Sequence, residues 1–147
     1  MQLKTINCMD PAAPTPYVDH AASMGCLFVA ICGVDCLLRG AFPSPKVRWF
    51  ALHFLINMAM ASLCIGDIVG IVRSPFCAFL EPAGSYIPTH GALTLHIYHL
   101  LFFTGLRRED IVHHLLFAGV LGAFAISFSW GRMINVSIFF MSGVPGG

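Results

Sequence analysis

The 147-residue chain carries charges on only 10% of its residues, whereas 57% are apolar and the mean hydropathy is +0.79. Soluble domains carry roughly 25% charged residues, so this composition excludes an ordinary water-exposed surface and predicts an integral membrane protein. The formal net charge of +1 provides no basic field for nucleic acid, and we expect no nucleic-acid partner.

The first 18 residues are predicted to form a mobile tail. Pro11, Pro14 and Pro16 interrupt regular structure there, and no basic segment leads directly into an apolar run as it does in a signal peptide. The rest of the chain, residues 19–147, is predicted to form one transmembrane domain.

Four apolar runs are predicted to span a membrane, because a spanning helix needs about 20 mostly apolar residues. The runs comprise residues 20–38, 49–72, 89–104 and 111–130. A fifth run begins near Met133 and reaches SGVPGG after about ten residues, which is too short to cross as a helix. The predicted fold is therefore all-α, a polytopic transmembrane helix bundle of four spans plus a truncated fifth. We expect the chain to be a C-terminally truncated fragment of a longer protein.

Basic residues alternate between the predicted loops. The loop 39–48 contains three Lys and Arg residues and the loop 105–110 contains two, whereas the loop 73–88 contains only Arg73. Because Lys and Arg favour cytoplasmic loops, the first and third loops are predicted to be cytoplasmic and the N-terminus lumenal or external.

Polar residues lie along one face of the second span. His53, Asn57, Met60, Cys64 and Asp67 follow one another at steps of four, three, four and three, so they share a helical face. Since such groups are costly against lipid, they are expected to face the bundle or a wet cavity. Structural hydrogen bonding between helices is an equally open interpretation. On another face, Ser62, Gly66 and Gly70 form a small-residue ridge that predicts close helix packing.

Two histidine pairs flank the third loop. His96 and His99 lie three apart on the third span, and His113 and His114 begin the fourth. Imidazole is a suitable iron ligand, but the repeated histidine clusters of membrane di-iron enzymes are absent. The sequence also lacks the C-x-x-C pair that would indicate a zinc site. We therefore expect no metal and no cofactor. A haem held by His99 and one of the later pair is a less favoured alternative.

The stretch REDIVHH places charged residues directly before the second histidine pair. Asp110 lies three and four residues before His113 and His114, so it is predicted to orient one imidazole. Arg107 and Arg108 are predicted to attract the phosphates of a lipid headgroup or acyl-CoA. His113 and His114 are the predicted catalytic residues, at the cytoplasmic mouth of a lipid cavity. The alternative is a pair of amphipathic side chains that cap a helix end.

Two longer runs are LHIYHLLFFTGLRREDIVHHLLFAGVLG and RWFALHFLINMAMASLCIGDIVGIVRSP, and the sequence ends in SGVPGG. The two runs resemble the TLC domain of ceramide synthases and translocating-chain-associating membrane proteins, and SGVPGG resembles an element of a less-studied branch of that family. The resemblance covers residues 46–147. It implies a helical membrane domain, usually of the endoplasmic reticulum, that handles lipids.

In ceramide synthases, paired histidines are implicated in acyl transfer from acyl-CoA to a long-chain base, and only His113 and His114 carry over here. This chain has LLFAG where ceramide synthases place a hydroxylated residue, and their later H-D element does not occur before Gly147. The resemblance therefore favours lipid binding, sensing or membrane lipid homeostasis, with membrane lipids as partners. An N-acyltransferase that uses acyl-CoA, with His113 as general base, is the alternative, and a haem or metal protein is the third hypothesis. The residues expected to bind lipid or substrate are His53, Asn57, Asp67, His96, His99, Arg107 and Arg108.

Overall fold

The computed structural model describes residues 17–142, and within this range the chain is helical, with connecting loops and no strand. Six α-helices follow one another, with a 3₁₀ turn (Pro75–Cys77) after the second and a π-helical segment (Leu115–Leu121) after the fourth. The α-helices are α1 (Tyr17–Ala41), α2 (Pro45–Arg73), α3 (Ile87–Phe102), α4 (Arg108–His114), α5 (Gly122–Ser127) and α6 (Met133–Met141).

Local sequence signals mark the ends of the long helices. Asp19 lies in the first turn of α1 and Arg39 in its last, where the helix dipole favours each charge. Pro45 opens α2 at a position where its missing N–H is not needed. A capping box between Arg107 and Asp110 starts α4.

Three of the described helices are long and apolar enough to cross a membrane: Val18–Ala41, Pro45–Arg73 and Arg108–Ser127, the last of which joins α4, the π-helical segment and α5. In the most apolar window of the first helix, only 11% of residues are buried within the chain, and in the second only 22%. Their large apolar side chains therefore face outward, which is consistent with an integral membrane protein.

The third predicted span corresponds to α3, which has only 16 residues and is not among the three helices long enough to cross, so the structure does not confirm the predicted four spans. It packs against α1, α2, α6 and the π-helical segment. The hydrophobic core around α3 consists of side chains that are almost inaccessible to solvent: Ile31, Leu52, Leu95, Tyr98 and Phe103. The fifth predicted run is α6, which is nine residues long and packs mainly against α2.

The loops that connect the long helices gather at two ends of the bundle. One cavity is lined by both the turn at residues 44–46 and the turn at residues 104–107, which places these basic loops at the same end. At the other end, Arg132 bonds with Glu81 at 2.8 Å, which joins the turn after α5 to the loop after α2. We call these the basic end and the far end.

Two sequence predictions need adjustment. Residues 1–16 of the predicted tail lie outside the described residues, and α1 already begins at Tyr17. The small-residue ridge of α2 does not pack within the chain as predicted: Ser62 and Gly66 are exposed, and nothing lies within 4 Å of a Cβ added at Gly66. Of the two glycines, only Gly70 has a neighbour at this distance, the side chain of Arg132. On the predicted polar face of α2, Met60, Cys64 and Asp67 are buried, while His53 and Asn57 are half-buried.

Candidate functional site

Five of the predicted site histidines come together from three helices near the basic end. They are His53 of α2, His96 and His99 of α3, and His113 and His114 of α4. The ring centroids of His96 and His114 are 4.9 Å apart, those of His96 and His113 5.7 Å, and those of His53 and His96 6.3 Å. We call this group the histidine cluster.

A direct imidazole contact joins α3 to α4. Nδ1 of His99 lies 2.5 Å from Nε2 of His114, and both residues are buried. Trp49 stacks on the His99 ring with centroids 3.4 Å apart and planes inclined by 18°. Because the two nitrogens touch, no macrocycle fits between them, which is contrary to the haem alternative for this pair. Trp49 therefore holds a histidine of the cluster in place.

Hydrogen bonds define which nitrogens of two further histidines carry the proton. Nδ2 of Asn57 donates to Nδ1 of His53 at 2.8 Å, so neutral His53 carries its proton on Nε2. Nδ1 of His96 lies 2.7 Å from the carbonyl oxygen of Ala92. A carbonyl only accepts, so Nδ1 of His96 donates and its Nε2 keeps a lone pair.

Two cavities adjoin the histidine cluster, and His53 and His113 line both of them. The first has a volume of about 340 Å³ and is lined mainly by apolar side chains. The second, of about 740 Å³, lies at the basic end. The apolar cavity is bounded by Leu93, Phe117, Leu121, Phe124, Ile134, Ile138 and Met141, and the basic-end cavity by Lys46, Trp49, His99, Arg107, Asp110 and His114 among others.

Asp110 was predicted to orient one of the paired histidines, but the structure gives it a different partner. Its carboxylate accepts from Nε and Nη2 of Arg107, both at 3.1 Å, and from the Arg107 backbone N–H at 3.3 Å. This hydrogen bonding and the carboxylate charge raise the pKa of the Arg107 guanidinium. Arg108 is exposed and lines neither cavity, so of the two predicted arginines Arg107 alone adjoins the site.

Asp67 does not join the histidine cluster. It lies 14 residues beyond His53, roughly 21 Å along α2. The Gly84 backbone N–H donates to both carboxylate oxygens, at 3.1 and 3.0 Å, and Nδ2 of Asn135 donates to Oδ2 at 2.6 Å. Arg132 lies 3.7 Å away. Asp67 therefore organises the far end of the bundle.

A second buried carboxylate was missed as a site by the sequence analysis. Asp35 of α1 is 1% exposed, and it bonds with Nε of Arg48 at 2.8 Å, with Arg39 at 3.1 Å and with the hydroxyl of Tyr98 at 3.0 Å. The available signal was an acidic residue inside an apolar span, which by default indicates a paired or functional group. The spacing to Arg48 could not reveal the partner, because that residue lies on the next helix.

A second histidine pair lies away from the cluster, and no sequence pattern indicated that its members would meet. Nδ1 of His20 lies 2.7 Å from Nε2 of His90, and Nδ1 of His90 lies 2.8 Å from the hydroxyl of Ser23. These contacts join the beginning of α1 to the beginning of α3. The pair therefore connects helices at the far end and adjoins neither cavity.

Comparison of the chain with protein-family models, with curated proteins and with solved structures finds no match. The resemblance to the TLC domain therefore stays a prediction.

Proposed function

We propose that this chain is a multi-pass membrane protein that binds lipid beside the histidine cluster. In this proposal α1, α2, α3 and the helix Arg108–Ser127 cross the bilayer, and α6 enters it without crossing. Its resemblance to the TLC domain supports a membrane of the endoplasmic reticulum, with the basic end cytoplasmic and the N-terminus lumenal.

The observation that carries the proposal is that His53 and His113 line both the apolar cavity and the basic-end cavity. A lipid has the same division, with an apolar chain joined to a polar head. Cavities of roughly 300–1,000 Å³ that are mostly apolar, with a few placed polar groups, are typical of ligand sites. An acyl chain would occupy the apolar cavity, while the headgroup would meet Lys46 and Arg107 at the basic end.

Matched alanine variants on α5 test this arrangement. Ala125 lines the apolar cavity, whereas Ala123, two residues earlier, is exposed and lines neither cavity. Ala125→Phe should fill the space for the acyl chain and abolish labelling by a photoactivatable fatty-acyl lipid, while Ala123→Phe should leave labelling intact. Equal labelling of both folded variants would contradict the proposed chain site.

Acyl transfer is the second candidate, and the exposure of His113 to both cavities favours it. In such a reaction an amine nitrogen attacks the thioester carbonyl of acyl-CoA, the C–N bond forms and the C–S bond breaks. His113 would take the amine proton and return it to the departing thiolate. Amide formation from acyl-CoA and a long-chain base should then stop in His113→Gln while lipid labelling persists. If the purified protein labels with lipid but forms no amide, it binds lipid without transferring it.

A further inference from the structure

We infer that His96, His113 and His114 bind a divalent transition-metal ion of the zinc class where the two cavities meet. One ring nitrogen from each lies within 4.8 Å of those of the other two. The sequence offered a metal protein only as the third hypothesis and did not define this ligand set, because it could not indicate which of His96 and His99 would face α4. The site goes beyond lipid binding and does not depend on it; it is an alternative to the acyl-transfer role of His113, because a nitrogen that binds a metal has no lone pair left to take a proton.

His96 is already held in the form of a metal ligand. Its Nδ1 donates to the carbonyl of Ala92, so the lone pair on Nε2 is free for a cation. Metal-bound histidines almost always donate their other ring N–H to a carbonyl or carboxylate in this manner, which fixes both tautomer and ring orientation. Phe117 stacks over the ring with an inclination of only 11°, which further restricts its rotation.

His114 presents a buried nitrogen that has no hydrogen-bond partner among the described residues. The side chain is 5% exposed, its Nε2 contacts His99, and its Nδ1 is unpartnered. Buried polar atoms are nearly always paired, so an unpaired one requires an explanation. A metal ion at Nδ1 would satisfy this atom. His99, which contacts Nε2, would then orient the His114 ring, as the Ala92 carbonyl orients His96.

His113 supplies the third imidazole from the exposed side of the cluster. Tetrahedral zinc with Zn–N bonds of 2.0–2.1 Å brings its ligand nitrogens to roughly 3.3 Å from one another. The present spacing, within 4.8 Å, must therefore close on binding, and exposed His113 has the rotational freedom to do so. Three imidazoles leave a fourth position for water, as in zinc sites that are not purely structural. Imidazole donors without thiolates suit zinc, copper, iron and nickel.

Metal binding by the purified full chain tests this inference. The protein, in detergent and freed of its affinity tag, is stripped with a chelator, incubated with Zn²⁺ or Co²⁺ and desalted. We expect one equivalent of zinc per chain by elemental analysis, and the visible bands of four-coordinate cobalt. His96→Gln, His113→Gln and His114→Gln should each weaken binding at least tenfold, and His99→Gln should weaken it by about 10–100-fold.

The matched control is His90→Gln, because His90 is a buried histidine of the same helix that lies outside the cluster. It should bind zinc as the parent does. Size-exclusion profiles establish which variants fold; if His114→Gln does not, exposed His113→Gln carries the test. Absence of stoichiometric zinc from the parent, its retention in folded His96→Gln and His113→Gln, or equal loss in His90→Gln would overturn the site. Lipid labelling of the same samples distinguishes this failure from failure of the proposed function.

Discussion

Nδ2 of Asn135 in α6 lies 2.6 Å from Oδ2 of Asp67 in α2, and this bond joins two helices across 68 positions of the chain. The same amide donates to the carbonyl of Ser85 at 2.8 Å. Because α6 is only about 13 Å long, these bonds fix where it docks. Ile134 and Ile138, beside Asn135, line the apolar cavity, so the polar contact also positions a wall of the candidate lipid site.

Asn135→Leu should therefore lower stability and loosen the cavity. The substitution removes the hydrogen bonds to Asp67 Oδ2 and to the Ser85 carbonyl and leaves Oδ2 with only the Gly84 N–H among the described residues, at a cost of about 1–3 kcal/mol. Ser137→Ala is the control, because Ser137 is exposed and bonds only to Met133 of its own helix among the described residues. The unfolding temperatures of the two variants are measured in detergent. Equal unfolding temperatures for the two variants would show that α6 is not held by Asn135.

The ion pair of Asp35 with Arg48 should be essential for folding stability, whereas the ion pair of Asp35 with Arg39 should not. The side chain of Arg48 is 14% exposed and that of Arg39 55%. Asp35→Leu leaves Arg48 without its carboxylate in a mostly buried position, and breaking such a pair costs roughly 3–5 kcal/mol. Arg39→Gln should have little effect, since exposed pairs contribute little. Unfolding of both variants in the same detergent checks the contrast, and a larger loss in Arg39→Gln would refute it.

Two glycines with positive φ should respond differently to alanine. Gly131 has φ of +54°, and a Cβ there would lie 2.6 Å from the carbonyl oxygen of Glu81 and 2.8 Å from that of Ala78. Gly105 has φ of +77°, and nothing would lie within 4 Å of its Cβ. Both substitutions strain the backbone by about 1–2 kcal/mol, but Gly131→Ala must also displace rigid backbone. It should therefore reduce the unfolding temperature more than Gly105→Ala does, and the reverse order would contradict this packing.

The sequence predicted most of the fold because the period of an α-helix relates spacing to facing direction. The buried positions Met60, Cys64 and Asp67 lie on the face that the steps of three and four had defined. It could not predict how neighbouring helices are rotated. His96 and His99 differ by about 60° around their helix. Only the packing of α3 against α4 determines that Nδ1 of His99 contacts His114, while the His96 ring lies near those of both His113 and His114.

Short-range competition explains the partner that was predicted wrongly. Asp110 lies three residues after Arg107, the N-cap of α4, so the two side chains can meet. A charge-assisted hydrogen bond of this kind is stronger than one to a neutral imidazole. The exposed Gly66 shows why the close helix packing predicted for this face was not found within the described chain. Small residues permit close packing, but no helix of the described chain comes there.

Insertion of protease sites in three loops should determine whether α3 crosses the membrane. At 16 residues α3 is about 24 Å long, which is shorter than the roughly 30 Å hydrocarbon core. Because α1, α2, α6 and the π-helical segment pack against it, protein rather than lipid surrounds much of its length. In sealed vesicles of one orientation, sites inserted after Pro43 and after Gly105 should be cut from the same side, and a site after Pro82 from the other. Detergent should expose all three sites. If the sites after Pro82 and Gly105 are cut from one side, α3 does not cross and the four-span arrangement is wrong.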